Sequence, residues 1–428
     1  MAGARFAKLA SLMRAWEWPL LFAIFLDLVG FGMAFPDIQL RAEDFGAPGW
    51  MIGALLSSYF AVQLLASPRW GMLSDRIGRK PVLLACTLLS AISMLVYAYA
   101  QDVWLILGSR LLAGLAAANV VVAQAYAADH TDEKSRNAAM GRLSAALLIG
   151  LVMGPAIGGE LAERGGNYLM GMTAAAASGV SFLFILVGIR GDARMSDRAL
   201  RKSAGLGLAL LRDLPDLRRV FFVAAAGWFV LACLEGTFGR LIERQFDYGQ
   251  REFGVILSYE SLLGAAAGAG LARLSARFLP VALLRSGYAL QGIGLAFMPL
   301  APLIAGGLDA PASGLTSLFS ALGAPITVGP GMLALMLAAT VYGVGLGVTN
   351  PTLNTVCSSA TPNDRQGELF GLLQATRSAG FLIGPTLGGA LFDLSPASPY
   401  YVAAGVALAA AILIGVPERR QASVSEPA

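Results

Sequence analysis

The chain is poor in the side chains that build soluble enzymes and metal sites. Its 428 residues include one histidine, three cysteines and only 14% charged residues. With His130 as the only histidine, the sequence excludes Ser-His-Asp or Cys-His triads and histidine-rich metal sites. Cys86, Cys233 and Cys357 lie in apolar segments without pairing or metal-ligand spacing, so we expect no disulfide and no bound metal.

Lysine is scarce as well, and the few lysines are Lys8, Lys80, Lys134 and Lys202. None of them lies in a G-x-x-x-x-G-K-[ST] loop, the segment that holds nucleotide phosphates in nucleotide-hydrolysing proteins. We therefore expect no cofactor, and nucleotide hydrolysis does not power this protein. The chain also lacks the clusters of catalytic side chains that mark an active site, so it is not predicted to be an enzyme.

Apolar sequence is abundant instead, with 56% hydrophobic residues and a mean hydropathy of +0.66. This composition is too apolar for a soluble core, and the chain is too long for a single-span anchor, so we predict an all-α polytopic membrane protein. Crossing the hydrocarbon takes roughly 20 apolar residues per helix. The segments that qualify are about 17–39, 50–70, 81–100, 103–128, 138–161, 167–189, 220–242, 252–272, 279–301, 331–356, 366–392 and 399–416. They are continuously apolar and do not alternate, which disfavours a β-barrel.

Basic residues are distributed unevenly among the loops between these twelve segments. With the N-terminus placed in the cytoplasm, five of the 31 Lys and Arg residues fall outside, two lie within spans and 24 fall inside. This bias predicts a bacterial inner-membrane protein with both termini in the cytoplasm. The net charge of +4 then reflects attraction to the lipid bilayer, and no nucleic-acid partner is expected. The basic N-terminal segment is predicted to be a cytoplasmic arm and not a cleaved signal.

One segment occurs twice, 230 residues apart: GLVMGPAIGGEL begins at Gly150 and GFLIGPTLGGAL begins at Gly380. Chance would not align so many glycines and a proline. The repeat therefore predicts two parallel halves of six spans each, an N-terminal bundle over 1–189 and a C-terminal bundle over 220–417.

Three segments lie outside the predicted bundles. Residues 190–219 form a basic linker whose apolar spacing suggests an amphipathic helix on the inner leaflet. Residues 302–330 are rich in Gly, Pro, Ser and Ala and are predicted to be an external insertion with a short helix near 315–322. Residues 418–428 are predicted to be disordered.

The segment GMLSDRIGRKP, residues 71–81, is the tight turn between the second and third spans. Gly71 and Gly78 are expected to let helix ends approach closely. Asp75 stands among bases, and because such an acid is costly in isolation, we expect it to contact a base or a helix N-terminus. The pattern G-x-x-x-D-R-x-G-R-K resembles the signature loop of the major facilitator superfamily of transporters. That resemblance implies twelve helices in two six-helix bundles that rock about a central cavity.

The same resemblance implies a cytoplasmic gate. Asp129 would join Asp75 and Arg76 and close against the start of the eleventh span in the outward-facing state. The residues that match the family's gate motifs are Gly71, Asp75, Arg76, Gly78, Arg79, Asp129 and Arg136.

The first span reads FLDLVGFGMAFPDI and carries Asp27 inside an apolar run. An unpaired charge at this depth costs roughly 3 kcal/mol on insertion scales. One interpretation is that Asp27 takes up and releases a proton as alternate conformations wet and dry it. The other is that it caps a broken helix or pairs permanently with a base. The pattern D-x-x-G-x-G-x-x-x-P resembles the first span of drug/proton antiporters, the branch that includes tetracycline exporters.

The fourth span places Arg110 four residues before Gly114. This spacing resembles the family's arginine motif, which is implicated in proton transfer, although Ala113 stands where that motif has glutamine. A cation inside the bundle needs an anion, and the resemblance makes Asp27 the nearest candidate. The alternative is a purely structural role for Arg110.

The fifth span carries glycine at every fourth position together with a helix-bending proline. The pattern G-P-x-x-G-G resembles the antiporter motif of drug exporters and so favours export. A packing device is the alternative, since the same pattern recurs in the eleventh span. The matching residues are Gly150, Gly154, Pro155, Gly158 and Gly159.

Three charged residues lie in apolar spans of the second half: Glu235, Glu260 and Arg377. They are not expected to face lipid, and Arg377 is expected to pair with one of the glutamates or to bind an anionic substrate. Other polar side chains are candidates for the substrate cavity or for hydrogen bonds between helices. They are Tyr59, Gln63, Asn119, Gln124, Tyr342, Asn350 and Asn354.

These features predict a monomeric proton-coupled antiporter that exports a small and amphipathic molecule. Tetracycline exporters carry acids in their third and ninth spans, whereas this chain has Ser93 in the third and no acid in the ninth, which disfavours tetracycline itself. Two alternatives stay open. The chain could transport a small anionic metabolite recognised by Arg377, or it could be a membrane sensor or scaffold that has lost transport.

Overall fold

The computed structural model describes residues 16–191, 212–213, 216–321, 327–362 and 365–414. Within these ranges the chain forms helices joined by short turns, and no β-strand occurs in them. The predicted all-α class is confirmed. The predictions for most of the 190–219 linker and for the 418–428 tail lie outside the described residues.

The first half of the chain, up to Gly188, is built from long helices. Their bounds are α1 Glu17–Asp44, α2 Gly49–Ile77, α3 Arg79–Ala98, α4 Val103–Ala116, α5 Asn119–Asp129 and α6 Glu133–Gly188. α4 and α5 are two pieces of one apolar stretch, interrupted at Ala117 and Ala118. α6 is also broken, because Gly165 and Gly166 leave helical geometry and Gly166 has a φ of 69°. Glycine adopts a positive φ at little cost, so this pair lets the chain bend between two predicted spans.

The second half begins at Asp216. Its helices are α7 Asp216–Phe246, α8 Gln250–Ser275, α9 Pro280–Phe297, α10 Ala301–Ala305, α11 Asp309–Ala321, α12 Pro330–Ala360, α13 Gln366–Leu394 and α14 Ser398–Leu413. A short 3₁₀ turn, Met298–Leu300, joins α9 to α10. α11 lies in the predicted insertion and starts earlier than the sequence suggested.

Nine helical segments of the described residues are long and apolar enough to cross a membrane. One of them, Ala138–Gly188, has 51 residues. At about 1.5 Å per residue it measures about 77 Å, about two and a half times the roughly 30 Å thickness of a bilayer's hydrocarbon core, so it holds two spans. α13 and α14 coincide with the last two predicted spans, and each predicted span therefore lies on a helix.

The helices run between two faces of the molecule. α1 begins at Glu17 and ends at Asp44, and we call these ends of the bundle the Glu17 face and the Asp44 face. Toward the Asp44 face α2 packs on α13, and α6 packs on α8. Helices of the first half therefore contact helices of the second half near this face.

The repeated glycine segments make equivalent contacts in the two halves. Gly154 of α6 lies against Gly32 of α1, and a Cβ added at Gly154 would be 2.7 Å from the Gly32 Cα. Gly384 of α13 lies in the same way against α7, where its Cβ would be 2.6 Å from that of Ala232. The other side of each segment faces the opposite half, with α8 packed on the Pro155 region and α2 on the Pro385 region. The glycines thus let helix backbones touch both within and between the halves.

Candidate functional site

Asp27 lies in a polar pocket inside the first half, where it is 5% exposed. Its carboxylate accepts hydrogen bonds from Asn119 of α5 and from Ser178 of α6, the latter at 3.0 Å between oxygens. The Ser178 hydroxyl is also 3.3 Å from that of Ser90 on α3. Four helices therefore surround this carboxyl group, and the partners that hydrogen-bond it are neutral.

Arg110 of α4 is 2% exposed and does not reach Asp27. Its Nε donates to the Ser109 hydroxyl at 3.3 Å, and its guanidinium carbon lies 4.8 Å from the centre of the Tyr97 ring. The expected ion pair between Asp27 and Arg110 is not formed among the described residues. The side-chain amide of Asn119 donates to the Asp27 carboxylate instead. Asn119 belongs to the same predicted span as Arg110 but follows the break that separates α4 from α5.

Asp37, near the C-terminal end of α1, is a buried acid that the sequence analysis missed. It is 1% exposed and accepts hydrogen bonds from the Tyr97 hydroxyl and from the side-chain amide of Gln250 on α8. Arg41, one helical turn later, approaches it at 3.9 Å. In the sequence, this site could have been recognised from an acidic residue directly after Pro36 and a basic residue one helical turn later.

The loop between α2 and α3 forms a charged cluster on the Glu17 face. Arg79 pairs with Asp75 and with Asp129 of α5, the latter at 3.0 Å. Asp75 does therefore contact a base, but the bridging base is Arg79, whereas Arg76 and Arg136 are exposed.

The two glycines of this loop differ in environment. Gly78 joins α2 to α3 with a φ of 100°, a conformation that favours glycine. At Gly71 an added Cβ would meet no atom within 4 Å. The expected close approach of a neighbouring helix is therefore absent at Gly71.

Glu235 of α7 and Glu260 of α8 line one small cavity. The other side chains around it are mainly apolar and include Phe35 of α1, Phe238, Phe253 and Met298. The cavity therefore combines two carboxyl groups with aromatic and aliphatic walls contributed by both halves.

Arg377 of α13 does not form the expected ion pair with Glu235 or Glu260 in the part of the chain that the structure describes. Its guanidinium carbon lies 5.3 Å from the centre of the Trp228 ring and 5.8 Å from that of Phe381. Arg377 is exposed, so water and the aromatic faces stabilise its charge in place of a carboxylate.

The predicted cavity residues have different environments. Tyr342 is buried, Tyr59 packs on the rings of Phe31 and Phe60, and Asn119 bonds Asp27. Gln63 and Asn350 are half-buried, and Gln124 and Asn354 are exposed. The presence of a polar residue in an apolar span did not by itself distinguish residues that line a cavity from residues that form hydrogen bonds between helices.

Charged side chains connect the two halves at the Asp44 face. Glu43 of α1 pairs with Arg240 of α7 at 2.7 Å and with Arg244 at 3.0 Å. Arg240 also lies 3.4 Å from Asp393 of α13, which accepts the backbone N–H of Gly49 at 3.0 Å. These contacts hold α1, α2, α7 and α13 together at this face.

The family follows from a comparison of the whole sequence. A model of the Major Facilitator Superfamily matches residues 20–312 and 310–428. The chain belongs to the major facilitator superfamily. It is therefore a multi-pass membrane protein, and transporters of this family bind small-molecule substrates in a membrane. The resemblance drawn from the α2–α3 loop is confirmed.

Several relatives carry names of resistance proteins. The chain is 27% identical to Multidrug resistance protein 2 of Bacillus subtilis (strain 168) over 392 residues, 90% of each chain. It is 28% identical to the class C tetracycline resistance protein of Escherichia coli over 413 residues, 94% of this chain and 95% of the relative. It is 24% identical to Quinolone resistance protein NorA of Staphylococcus aureus over 410 residues, 95% and 97% of the two chains.

Solved structures show the same fold at lower sequence identity. The human organic anion transporter MFSD10 superposes with a TM-score of 0.61 at 21% identity, covering 94% of this chain and 99% of that one. The nucleoside transporter NupG superposes with a TM-score of 0.70 at 15% identity, covering 94% and 98%.

Proposed function

We propose that this chain is a secondary active transporter that exports a small amphipathic molecule in exchange for protons. Its relatives named for multidrug, tetracycline and quinolone resistance support export. The observation that carries proton coupling is Asp27, a buried carboxyl group bonded by neutral Asn119 and Ser178. A carboxyl group held in this way can gain or lose a proton without breaking an ion pair.

The distribution of Lys and Arg supports a cytoplasmic position for the Glu17 face and both termini, in a bacterial inner membrane. The Asp44 face is then external. Because the halves touch near that face, the described conformation is closed to the outside and corresponds to an inward-facing state. Export requires the halves, residues 1–189 and 220–417, to rock apart externally and close in the cytoplasm. A monomer suffices for this mechanism.

The cavity of Glu235 and Glu260 has a volume of about 10 Å³, room for about one water molecule, so a substrate would require it to widen as the halves move. In a wider cavity the aromatic and aliphatic side chains would favour an apolar body, and the two glutamates would favour a polar or cationic end. The Asp75, Arg79 and Asp129 cluster would act as the cytoplasmic gate. No chemical conversion is required, so the protein acts as a transporter and not as an enzyme.

Asp27→Asn tests this proposal. Right-side-out vesicles or whole cells that carry the variant should lose pH-gradient-driven efflux of ethidium, a fluorescent lipophilic cation. The amount of the variant protein in the membrane should stay normal. Asp44→Asn, at the exposed end of the same helix, is the matched control and should retain efflux. Undiminished efflux by Asp27→Asn would refute the coupling role.

A second candidate function is transport of a small anion by Arg377, because this exposed guanidinium lies on aromatic rings and forms no ion pair with Glu235 or Glu260 among the described residues. Counterflow of a labelled organic anion into proteoliposomes, lost in Arg377→Ala and unaffected by Asp27→Asn, would favour it. If neither ethidium nor the anion moves and no conformational change follows a pH step, the chain is a sensor or scaffold.

A further inference from the structure

Arg377 is an exposed cation near the middle of α13. It interacts electrostatically with Tyr59 of the first half and with Glu235 of the second half. A charge that faced lipid at this depth would be costly, so the side chain lies between the halves. Among the described residues, Arg377 forms neither a hydrogen bond nor an ion pair. The N–H donors of its guanidinium are therefore available to a ligand.

A strip of aromatic rings beside Arg377 crosses from one half to the other. The Phe60 and Phe381 rings join α2 to α13, with their centres 4.2 Å apart. Tyr59 extends the strip in the first half, 4.9 Å from Phe60. Trp228 extends it in the second half, 6.2 Å from Phe381. Tyr59 and Trp228 are only half-buried, so a flat apolar body can stack on the strip.

Glu235 places a carboxyl group on the same face of α7 as Trp228. The two residues are two helical turns apart, a distance of about 10 Å along the helix. Arg377 rests on Trp228, with its guanidinium carbon 5.3 Å from the ring centre. The strip therefore has a base at Trp228 and an acid further along α7. Burial makes a lone carboxylate costly, so a cationic group that reaches Glu235 supplies the missing counter-charge.

We propose that the transported molecule is a planar aromatic zwitterion, with its carboxylate bound by Arg377 and its cationic end directed toward Glu235. Its flat body packs along Trp228 and Phe381. The guanidinium has paired N–H donors that match the two oxygens of a carboxylate. A purely cationic molecule would meet the positive charge of Arg377, and a purely anionic one would leave Glu235 without a counter-charge. The inference rests on the proposed function, which directs the substrate to the cavity of Glu235.

Rhodamine B and its ethyl ester are a matched pair of probes for this site. They share one planar cationic ring system, and only rhodamine B carries a free carboxylate. Fluorescence polarisation with the full chain in nanodiscs, corrected for empty nanodiscs, measures both dissociation constants. We expect rhodamine B to bind about tenfold more tightly than the ester, as the loss of a charge-assisted hydrogen bond predicts. Equal binding, or tighter binding of the ester, would overturn the proposal.

Substitutions assign the preference to Arg377. Arg377→Gln should bind both dyes with the affinity of the ester, and Arg377→Lys should keep part of the preference because lysine retains the charge but not the paired donors. Glu235→Gln should weaken the binding of both dyes and leave their ratio unchanged. The control is Arg273→Gln, at an exposed position in the last turn of α8, which should bind both dyes as the native chain does. The full native preference in either Arg377 variant would overturn the assignment.

Carboxyfluorescein, an anionic dye, tests recognition of the acid alone and should bind more weakly than rhodamine B. If it binds as tightly and Glu235→Gln has no effect, the site recognises anions and the zwitterion is refuted.

Efflux in a pH gradient separates this inference from the proposed function. Ethidium efflux that requires Asp27, without any preference for rhodamine B in binding, would overturn the zwitterion and leave the proposed export intact. Binding of rhodamine B that depends on Arg377, without pH-driven efflux of either dye, would support the site and refute antiport.

Discussion

Buried charges in this chain are stabilised by partners of quite different kinds. Asp27 is bonded by neutral side chains, Asp37 by donors from both halves, and Arg110 lies on the face of Tyr97. Burying an ion costs several kcal/mol unless its partners replace water. In this protein, hydroxyl, amide and aromatic groups therefore stabilise buried charges alongside oppositely charged side chains.

Arg110→Lys tests the contact with Tyr97. Lysine keeps the positive charge but loses the planar guanidinium and its bond to Ser109, so we expect a loss of stability of about 1 to 2 kcal/mol. Thermal unfolding of the purified protein in detergent measures this as a lower midpoint. Arg69→Lys is the control because Arg69 is exposed on α2. Equal midpoints for the two variants would show that the ring contact contributes nothing.

At the scale of helices, the packing depends on backbones that touch. Pro155 and Pro385 occupy equivalent places in α6 and α13, and their carbonyl oxygens face Gly254 of α8 and Gly53 of α2. A side chain at either glycine would collide with rigid backbone. The G-P-x-x-G-G pattern therefore serves as a contact surface between the halves.

Gly254→Ala is expected to weaken closure at the Asp44 face. Its Cβ would overlap the Pro155 carbonyl group, and overpacking of this kind costs about 1 to 3 kcal/mol. A thiol reagent that cannot cross membranes should label Ser258→Cys faster in the Gly254→Ala background. Gly270→Ala, on the same helix with nothing within 4 Å of its Cβ, should not change the rate.

Asp75→Asn should alter conformational balance and not substrate affinity. The substitution removes one of the two carboxylates that hold Arg79 on the Glu17 face, while Asp129 stays in place. We expect slower ethidium efflux with an unchanged dissociation constant for ethidium, measured by fluorescence titration. A dissociation constant that changes several-fold would place Asp75 in substrate binding instead. Asp44→Asn provides the control on the opposite face.

For the molecule as a whole, function depends on whether the contact between the halves is reversible. Glu43, Arg240 and Asp393 form an ionic cluster at the Asp44 face, and Phe60 and Phe381 pack deeper with ring centres 4.2 Å apart. Arg240 is buried in this cluster, whereas Glu43 and Asp393 keep part of their surface in water. The proposed transport cycle requires these contacts to break and to form again as the halves move.

A disulfide across this surface should stop transport. The hydroxyl oxygens of Ser57 and Thr386 are 3.0 Å apart, so Ser57→Cys with Thr386→Cys should crosslink under mild oxidation and abolish efflux until reductant is added. Adding Glu43→Gln should slow crosslinking, because Glu43 pairs with both Arg240 and Arg244. Rapid crosslinking without loss of efflux would show that the halves need not separate here.

The helical class, the helix positions and the family could be predicted from local features of the sequence. Apolar runs long enough to span a bilayer locate helices wherever they pack, and the loop at residues 71–81 carries its motif within a few residues. The candidate site was harder to predict. Asp27 stood out because it is alone in an apolar run, whereas Asp37 lay near a helix end where acids are common.

The sequence by itself determined where the apolar spans lie and that they are helical, because hydropathy and backbone preferences act over one or two helical turns. Tertiary structure decided which polar groups meet. Asp27 contacts Ser178, 151 positions away, and Asp37 contacts Gln250, 213 positions away. Such pairs depend on how each helix is rotated about its axis and on the break at Gly165 and Gly166, and both are set by packing across the whole bundle.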